Sequence, residues 1–381
     1  MSIRDWYSSE PMRQARERMF SSDRWNFCNR CWYEEQVGTS SRRHRSNQKS
    51  VIFRENFQDS FEQSPGYPKF TDPNFAGMPI DLHVDLGNYC NLACKMCNPE
   101  ASSRIASQHK IWKMSDSVPV DWTTDQAAWE RFLAELVTIP GLKNLHFMGG
   151  ETLIQPRFEE CIDYLIAKNK TDVCISFVTN GTVYKESIVK KLKLFPRGGI
   201  EVSIESTGPS NAYTRQGTDT AIVLANIDRY LSDGADITLR SAPSLLTAGE
   251  YWQVIKLALD RKLIIKSNIC TEPKFLNINV LPLSIRQGYV DNYQALLTEY
   301  KLDDSLDNDY NESDANNYKL VAKNQIVQML SMLEQPVPDS QKVLLTQLLQ
   351  HISNWDQVYK YNATEVYPEL AELLIGYGYN V

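Results

Sequence analysis

Eight cysteines punctuate the 381-residue chain, and five of them fall into two close-spaced groups. Cys90, Cys94 and Cys97 form CxxxCxxC in the stretch DLGNYCNLACKMCNPE, while Cys28 and Cys31 form a CxxC. Thiolates this close in sequence suit soft metals, and three on one loop can wrap a compact iron-sulfur core. Three thiolates leave the fourth iron of a cubane open to an outside ligand, much as a catalytic zinc keeps one position vacant. The same triad also suits a zinc site short of a ligand, or thiols that bind nothing. Cys161, Cys174 and Cys270 stand alone in apolar surroundings, where cysteine behaves as a small buried hydrophobe.

Such a loop needs a rigid frame, and from residue 81 onward the sequence alternates short β-rich runs with segments of helical period. Strands are expected at Asp81 to Leu86, Lys143 to Met148, Val173 to Thr179, Ile200 to Glu205, Asp236 to Ala242 and Leu263 to Ile269. Helices are expected at about 124 to 137, 156 to 168, 184 to 194, 219 to 232 and 249 to 261. Crossovers of this length make neighbouring strands parallel, in a barrel or a doubly wound sheet. In both, functional groups gather where strands end. The cysteine triad follows the first strand, HFMGGET closes the second, FVTNGT the third, and SIESTGPSNAYTRQG the fourth.

These residues resemble the radical S-adenosylmethionine superfamily. The resemblance implies an α/β fold, a partial (β/α)6 barrel, with one [4Fe-4S] cluster on Cys90, Cys94 and Cys97. It further implies that S-adenosylmethionine chelates the open iron. A reduced cluster then breaks the sulfonium bond to give a 5'-deoxyadenosyl radical that takes hydrogen from a substrate. Gly149, Gly150 and Glu151 match the element that contacts the methionine amino group, where glycines permit close approach and a carboxylate complements an ammonium. Met96 stands where an aromatic residue usually touches the adenine, and a thioether can pack on a ring. Asn180 is both a turn former and a candidate ligand. Ser203 and Arg215 match positions that read the ribose or methionine part and pair with the carboxylate, while Glu205 replaces the usual Asp and its reach is open.

The subgroup most resembled is the twitch and SPASM type. Trp6, Ser8, Met12, Arg16, Cys28, Cys31, Glu34, Gly38, Ser41 and Arg42 follow its N-terminal pattern with small shifts, and Tyr367, Pro368 and Glu369 match its closing turn. In fuller relatives a preceding stretch carries more cysteines and the whole set can bind an auxiliary iron-sulfur cluster; the expectation here is a chain without that stretch. Cys28 and Cys31 then either recruit further ligands, such as Cys270 or a partner chain, as a second metal site, or belong to a relic that binds no cluster, the pair being kept as packing or as a zinc half-site. The domain reading is an N-terminal Cys-containing appendage at 1–80, a core at 81–285 and a helical C-terminal extension at 286–381. A Pro- and Gly-bearing link runs from Ser64 to Pro79, and the acidic, Asn-rich run 303–317 disfavours burial.

Composition sets the remaining bounds. A 42% hydrophobic, 23% charged chain is ordinary for a globular protein, and a formal charge of -7 argues against a general nucleic-acid coat. The local patch Arg42, Arg43, His44 and Arg45 is either a solvated loop or an anion contact. No membrane-spanning run or signal core is visible, so a cytoplasmic location with reduced thiols is expected. The partners implied are a flavodoxin- or ferredoxin-like electron donor and a peptide or protein side chain as substrate, with a small molecule or nucleotide as the alternative. A protein that carries a cluster for electron transfer alone would need the cysteines but not Gly149, Gly150, Glu151, Ser203 or Arg215.

Overall fold

The computed structural model describes residues 2–20, 25–36, 41, 43–44, 79–114, 121–139, 141–303 and 317–379. Gly38, Arg42, Arg45, most of the expected link and the interior of the acidic run lie outside the described residues. Eight strands are described: β1 (Asp81–Asp85), β2 (Ala93–Cys94), β3 (Asn144–Met148), β4 (Cys174–Thr179), β5 (Gly198–Ser203), β6 (Arg215–Gln216), β7 (Asp236–Ser241) and β8 (Ile264–Ser267). Six of them form one sheet in the order β1-β3-β4-β5-β7-β8, and the pairings from β4 through β8 are parallel. The helices Pro156–Ala167, Glu186–Leu192, Thr220–Ser232 and Tyr251–Asp260 fall between these strands, as the alternation predicts. This is the α/β architecture of the partial barrel, with a helical region behind it.

The sheet owes its two faces to alternation. Ile175, Phe177, Ile200, Val202 and Leu239 are 0–1% exposed on the helix-covered face. There Phe158, at the start of the helix Pro156–Ala167, meets Phe147 and Phe177 at centroid distances of 5.2 and 4.8 Å. Burying each such side chain contributes about 1.5–3 kcal/mol. The helix Thr220–Ser232 starts where Asp219 accepts from Ala221 N and Ile222 N, and Gly234 at φ 73° turns the chain back toward β7. On the opposite face the sheet carries His83, His146, Ser176, Glu201, Arg240 and Lys266. Sequence reasoning passed over this polar row.

The chain divides into two compact units, Met1–Leu82 with Asp125–Asn144, and His83–Thr124 with Leu145–Val381. In the first, residues Glu10–Phe20 form a helix, and Ile3 N donates to Glu135 Oε2 at 2.5 Å. In the second, the helix Asn317–Glu334 packs along β8, where Gln325 Oε1 accepts from Ser267 and Tyr251. Arg286, fully buried, donates to Leu281 O (2.9 Å), Leu333 O (2.6 Å) and Gln335 O (2.7 Å). A cation there satisfies carbonyls that the helix end leaves open. Among the described residues no helix is long and apolar enough to cross a membrane.

Candidate active site

The cysteine loop leaves β1 through Gly87, whose φ of 96° and N–H to Asp85 Oδ1 (2.9 Å) set the turn. The two-residue strand β2 then pairs antiparallel with β6, placing Ala93 opposite Gln216 and Cys94 opposite Arg215. Cys97 N donates to Cys94 O at 3.0 Å and Leu92 N to Cys90 Sγ at 3.4 Å, so the backbone folds over its own cysteines. Ser102 caps the helix Ser103–Ile111 through Ile105 N, and its hydroxyl donates to Leu92 O at 2.9 Å.

Gly149 and Gly150 follow β3 with φ of 95° and 51°. A Cβ on Gly149 would lie 2.0 Å from Asp85 Oδ1, and one on Gly150 would lie 2.1 Å from Tyr89 O. The close approach these glycines permit is thus to the cysteine loop itself. Glu151 N and Gln155 Nε2 both donate to Tyr89 O, at 2.9 and 3.2 Å. The Glu151 carboxylate, fully buried, accepts from Leu153 N, Thr179 Oγ1 and Asn180 N at 3.0, 2.7 and 2.6 Å. It braces two strand ends, and burial raises its pKa against those hydrogen bonds.

Asn180 makes the turn, with Oδ1 accepting from Thr182 N at 3.0 Å, and it also reaches the cysteine loop, donating from Nδ2 to Asn91 Oδ1 at 2.8 Å. Asn91 in turn donates to Thr182 Oγ1 at 2.9 Å, a tie the sequence motifs did not suggest. Ser203 closes β5 at 9% exposure, and Met96 is half-buried beside Cys97.

Glu205 is engaged by its protein neighbours. Its Oε1 accepts from Arg215 NH1 at 2.9 Å and its Oε2 from Ala242 N at 2.7 Å. The Arg215 side chain is 12% exposed against 1% for Glu205, so the pair is buried and not a surface ion pair. Burial raises the Glu205 pKa and Arg215 opposes it; burial works against the Arg215 charge, and the bonded Glu205 carboxylate sustains it. Arg215 Nε, Gln216 Oε1 and Thr218 Oγ1 are buried without a partner. Buried polar atoms are normally satisfied, so this stretch fits a polar ligand with a carboxylate.

Burial pushes the thiols of Cys90, Cys94 and Cys97 up to about 11, with Arg215 acting against it on each. Such thiols stay protonated until a metal centre deprotonates them. Among the described residues, no three or more His, Cys, Asp or Glu side chains converge as a single-ion site would require. A cubane takes one thiolate per iron, so its ligands stand apart. Lys95, between Cys94 and Cys97, is 2% exposed, and burial pulls its pKa down to about 7 while Asp356 opposes the shift.

Cys28 and Cys31 are half-buried, Cys28 at the end of the short 3-10 helix Asn26–Cys28 and Cys31 in the first turn of the helix Asn29–Gln36. Of the basic patch, Arg43 is bonded to Glu35 at 2.6 and 3.0 Å and stacks 4.3 Å from the Trp32 centroid, so its charge is already paired. Cys161 is buried, Cys174 half-buried on β4, and Cys270 buried with its thiol donating to Glu272 O at 3.3 Å.

Residues 84–242 match the family model of the radical SAM superfamily. The GTP 3',8-cyclase of Syntrophomonas wolfei is 25% identical over 138 residues, covering 36% of this chain and 38% of that protein. Among solved structures, native anSMEcpe with bound AdoMet aligns at 18% identity and TM-score 0.45, over 59% of this chain and 62% of that one. Streptococcus suis SuiB bound to S-adenosylmethionine aligns at 12% identity and TM-score 0.41, over 66% and 59%. The chain thus spans less than two thirds of each of these relatives. With the cysteine loop, the glycine turn and the Glu205–Arg215 pair all inside the matched span, residues 84–242 constitute a radical SAM superfamily domain.

Proposed function

We propose that this chain is a radical enzyme that holds one [4Fe-4S] cluster on Cys90, Cys94 and Cys97 and cleaves S-adenosylmethionine to abstract hydrogen from a substrate. The bound cluster and S-adenosylmethionine would supply a one-electron break of the sulfonium bond, with a flavodoxin- or ferredoxin-like donor feeding the electron. The observation that carries the reading is the register of Cys94 against Arg215, with Glu205 holding one side of the guanidinium and Nε left over. An electron carrier needs the cysteines but no buried cation with spare donors beside them. Arg215 binds the ligand carboxylate, Glu205 orients Arg215, and Glu151 with Asn180 keeps the cysteine loop against the sheet.

The substrate is a peptide or protein side chain in this reading, in keeping with the twitch and SPASM-type residues of the N-terminal appendage and the closing turn. The relative that acts on GTP supports a nucleotide as the second reading. The test is anaerobic reconstitution, reduction and addition of S-adenosylmethionine, with 5'-deoxyadenosine as the readout. Release above the unreduced control is expected. A fully loaded, reduced protein that releases none overturns the reading and leaves the electron carrier.

A further inference from the structure

We propose that Lys95 is a positioning residue that sets Arg215 against the cysteine loop, and that the C-terminal residues Trp355 and Tyr361 hold it there. The inference rests on the radical reading above. A lysine is almost never fully buried without partners, yet Lys95 is 2% exposed. Its backbone N–H donates to Thr214 O at 2.8 Å, and its Nζ donates to Tyr213 O at 2.7 Å. One residue thereby grips the two carbonyls that immediately precede Arg215. Its neighbour Cys94 is the register partner of Arg215 itself. Together these contacts fix where the guanidinium sits relative to the cysteines.

The enclosure comes from the other end of the chain. Lys95 Nζ lies 3.6 Å from the Tyr213 ring centroid, 4.9 Å from Trp355 and 5.8 Å from Tyr361. Tyr361 and Tyr367 meet the Tyr213 ring edge-on at 5.5 and 5.3 Å. Trp355, 1% exposed, packs on Ala93 and Ile105 with Cys97 against the same cluster. Asp356 adds a buried carboxylate, tied to Tyr379 and to Ala363 N. An apolar side chain of similar length would fill this space without the cost of desolvating an amine. What the amine adds is a directed bond to Tyr213 O, and so the alignment of the residues that follow.

The test uses the full chain carrying Lys95→Met, Lys95→Arg or Trp355→Leu. In the apoprotein, amide exchange at Thr214 to Gln216 should speed up in Lys95→Met and Trp355→Leu. After anaerobic reconstitution, Lys95→Met should keep about four irons but bind S-adenosylmethionine about tenfold more weakly. Its reduced-cluster paramagnetic spectrum should respond less to S-adenosylmethionine, and Lys95→Arg should recover part of both effects. Native exchange and native affinity in Lys95→Met would overturn the proposal. So would loss of folding or of the cluster in both Lys95 variants, which would make the residue a part of the loop's own fold. The exchange readout needs neither cluster nor ligand. A native protein blind to S-adenosylmethionine would therefore sink the radical reading, while the apoprotein still decides the alignment.

Discussion

Cys94 and Cys97 close their CxxC in the barrel unit, where Cys94 is 9% exposed and stands across a strand pair from a buried arginine. Cys28 and Cys31 flank the start of a helix in the other unit at half-buried positions, near Glu35, Ser41 and Arg43, which are tied to one another. The spacing is the same, but the surroundings are not. The first pair has its backbone bonded into a loop, a third cysteine, and a cation with donors to spare. The second has beside it, among the described residues, an Arg43–Glu35 pair whose charges are already matched. Spacing nominates thiols as ligands; what surrounds them decides whether a ligand has been provided for.

The largest effect should follow from Cys90→Ala, Cys94→Ala and Cys97→Ala together. The cubane absorption should vanish, and all cleavage of S-adenosylmethionine with it, since no close-spaced thiolate is left in the loop. Persistent 5'-deoxyadenosine formation in that variant would move the chemistry elsewhere and dissolve the contrast. Next comes Arg215→Ala, which should leave the iron count intact while weakening S-adenosylmethionine binding roughly ten- to hundredfold, the effect of losing a charged hydrogen bond of about 1.5–3 kcal/mol. Unchanged affinity by equilibrium dialysis would mean that Arg215 serves only Glu205.

Acid should separate the two units more gently. Burial holds His146 neutral, with a pKa of about 4 against the ordinary 6.5. Between those values the unfolded chain binds the extra proton, so barrel stability falls as pH falls, by up to about 1.4 kcal/mol per pH unit. The Arg43–Glu35 tie behaves differently, because Arg43 holds the Glu35 carboxyl down to about 2. Its contribution is full above the ordinary 4.5 and is lost only as pH drops from there toward 2. Denaturant melts of apoprotein across pH 6.5 to 4.5 should therefore show a slope that His146→Gln flattens. An equal slope in that variant would assign the loss to other groups. Smallest of all is Cys28→Ala with Cys31→Ala, for which iron should stay at about four per chain. A native count near eight that drops to near four in this variant would show an auxiliary cluster at the appendage.

The alternation of parallel strands and helices was legible because such elements write strong periods over many residues, while the choice of a barrel came from the family resemblance. The six expected strands sit within about two residues of those found, a normal margin at element ends. The strands β2 and β6 were not legible, since two residues carry no period, yet they set the Cys94–Arg215 register. Motif matching found Arg215 and Glu205 but not their mutual bond. It read the glycines as room for a ligand and did not foresee that Gly149 also lies against Asp85 and Gly87 and Gly150 against Tyr89. Lys95 and Trp355 lie 260 positions apart and share no local pattern, so only folding brings them together. The polar row of His146, Glu201, Arg240 and Lys266 did leave a trace, as charged residues in strands of a kind that usually read as continuous apolar runs.

The central claim is that the cluster held by this loop keeps an iron within reach of S-adenosylmethionine. The paramagnetic spectrum of the reduced protein, recorded with and without S-adenosylmethionine, tests it most directly. The spectrum should change on addition in the native chain and equally in Cys28→Ala with Cys31→Ala. A cubane signal that stays the same with saturating S-adenosylmethionine would contradict the account.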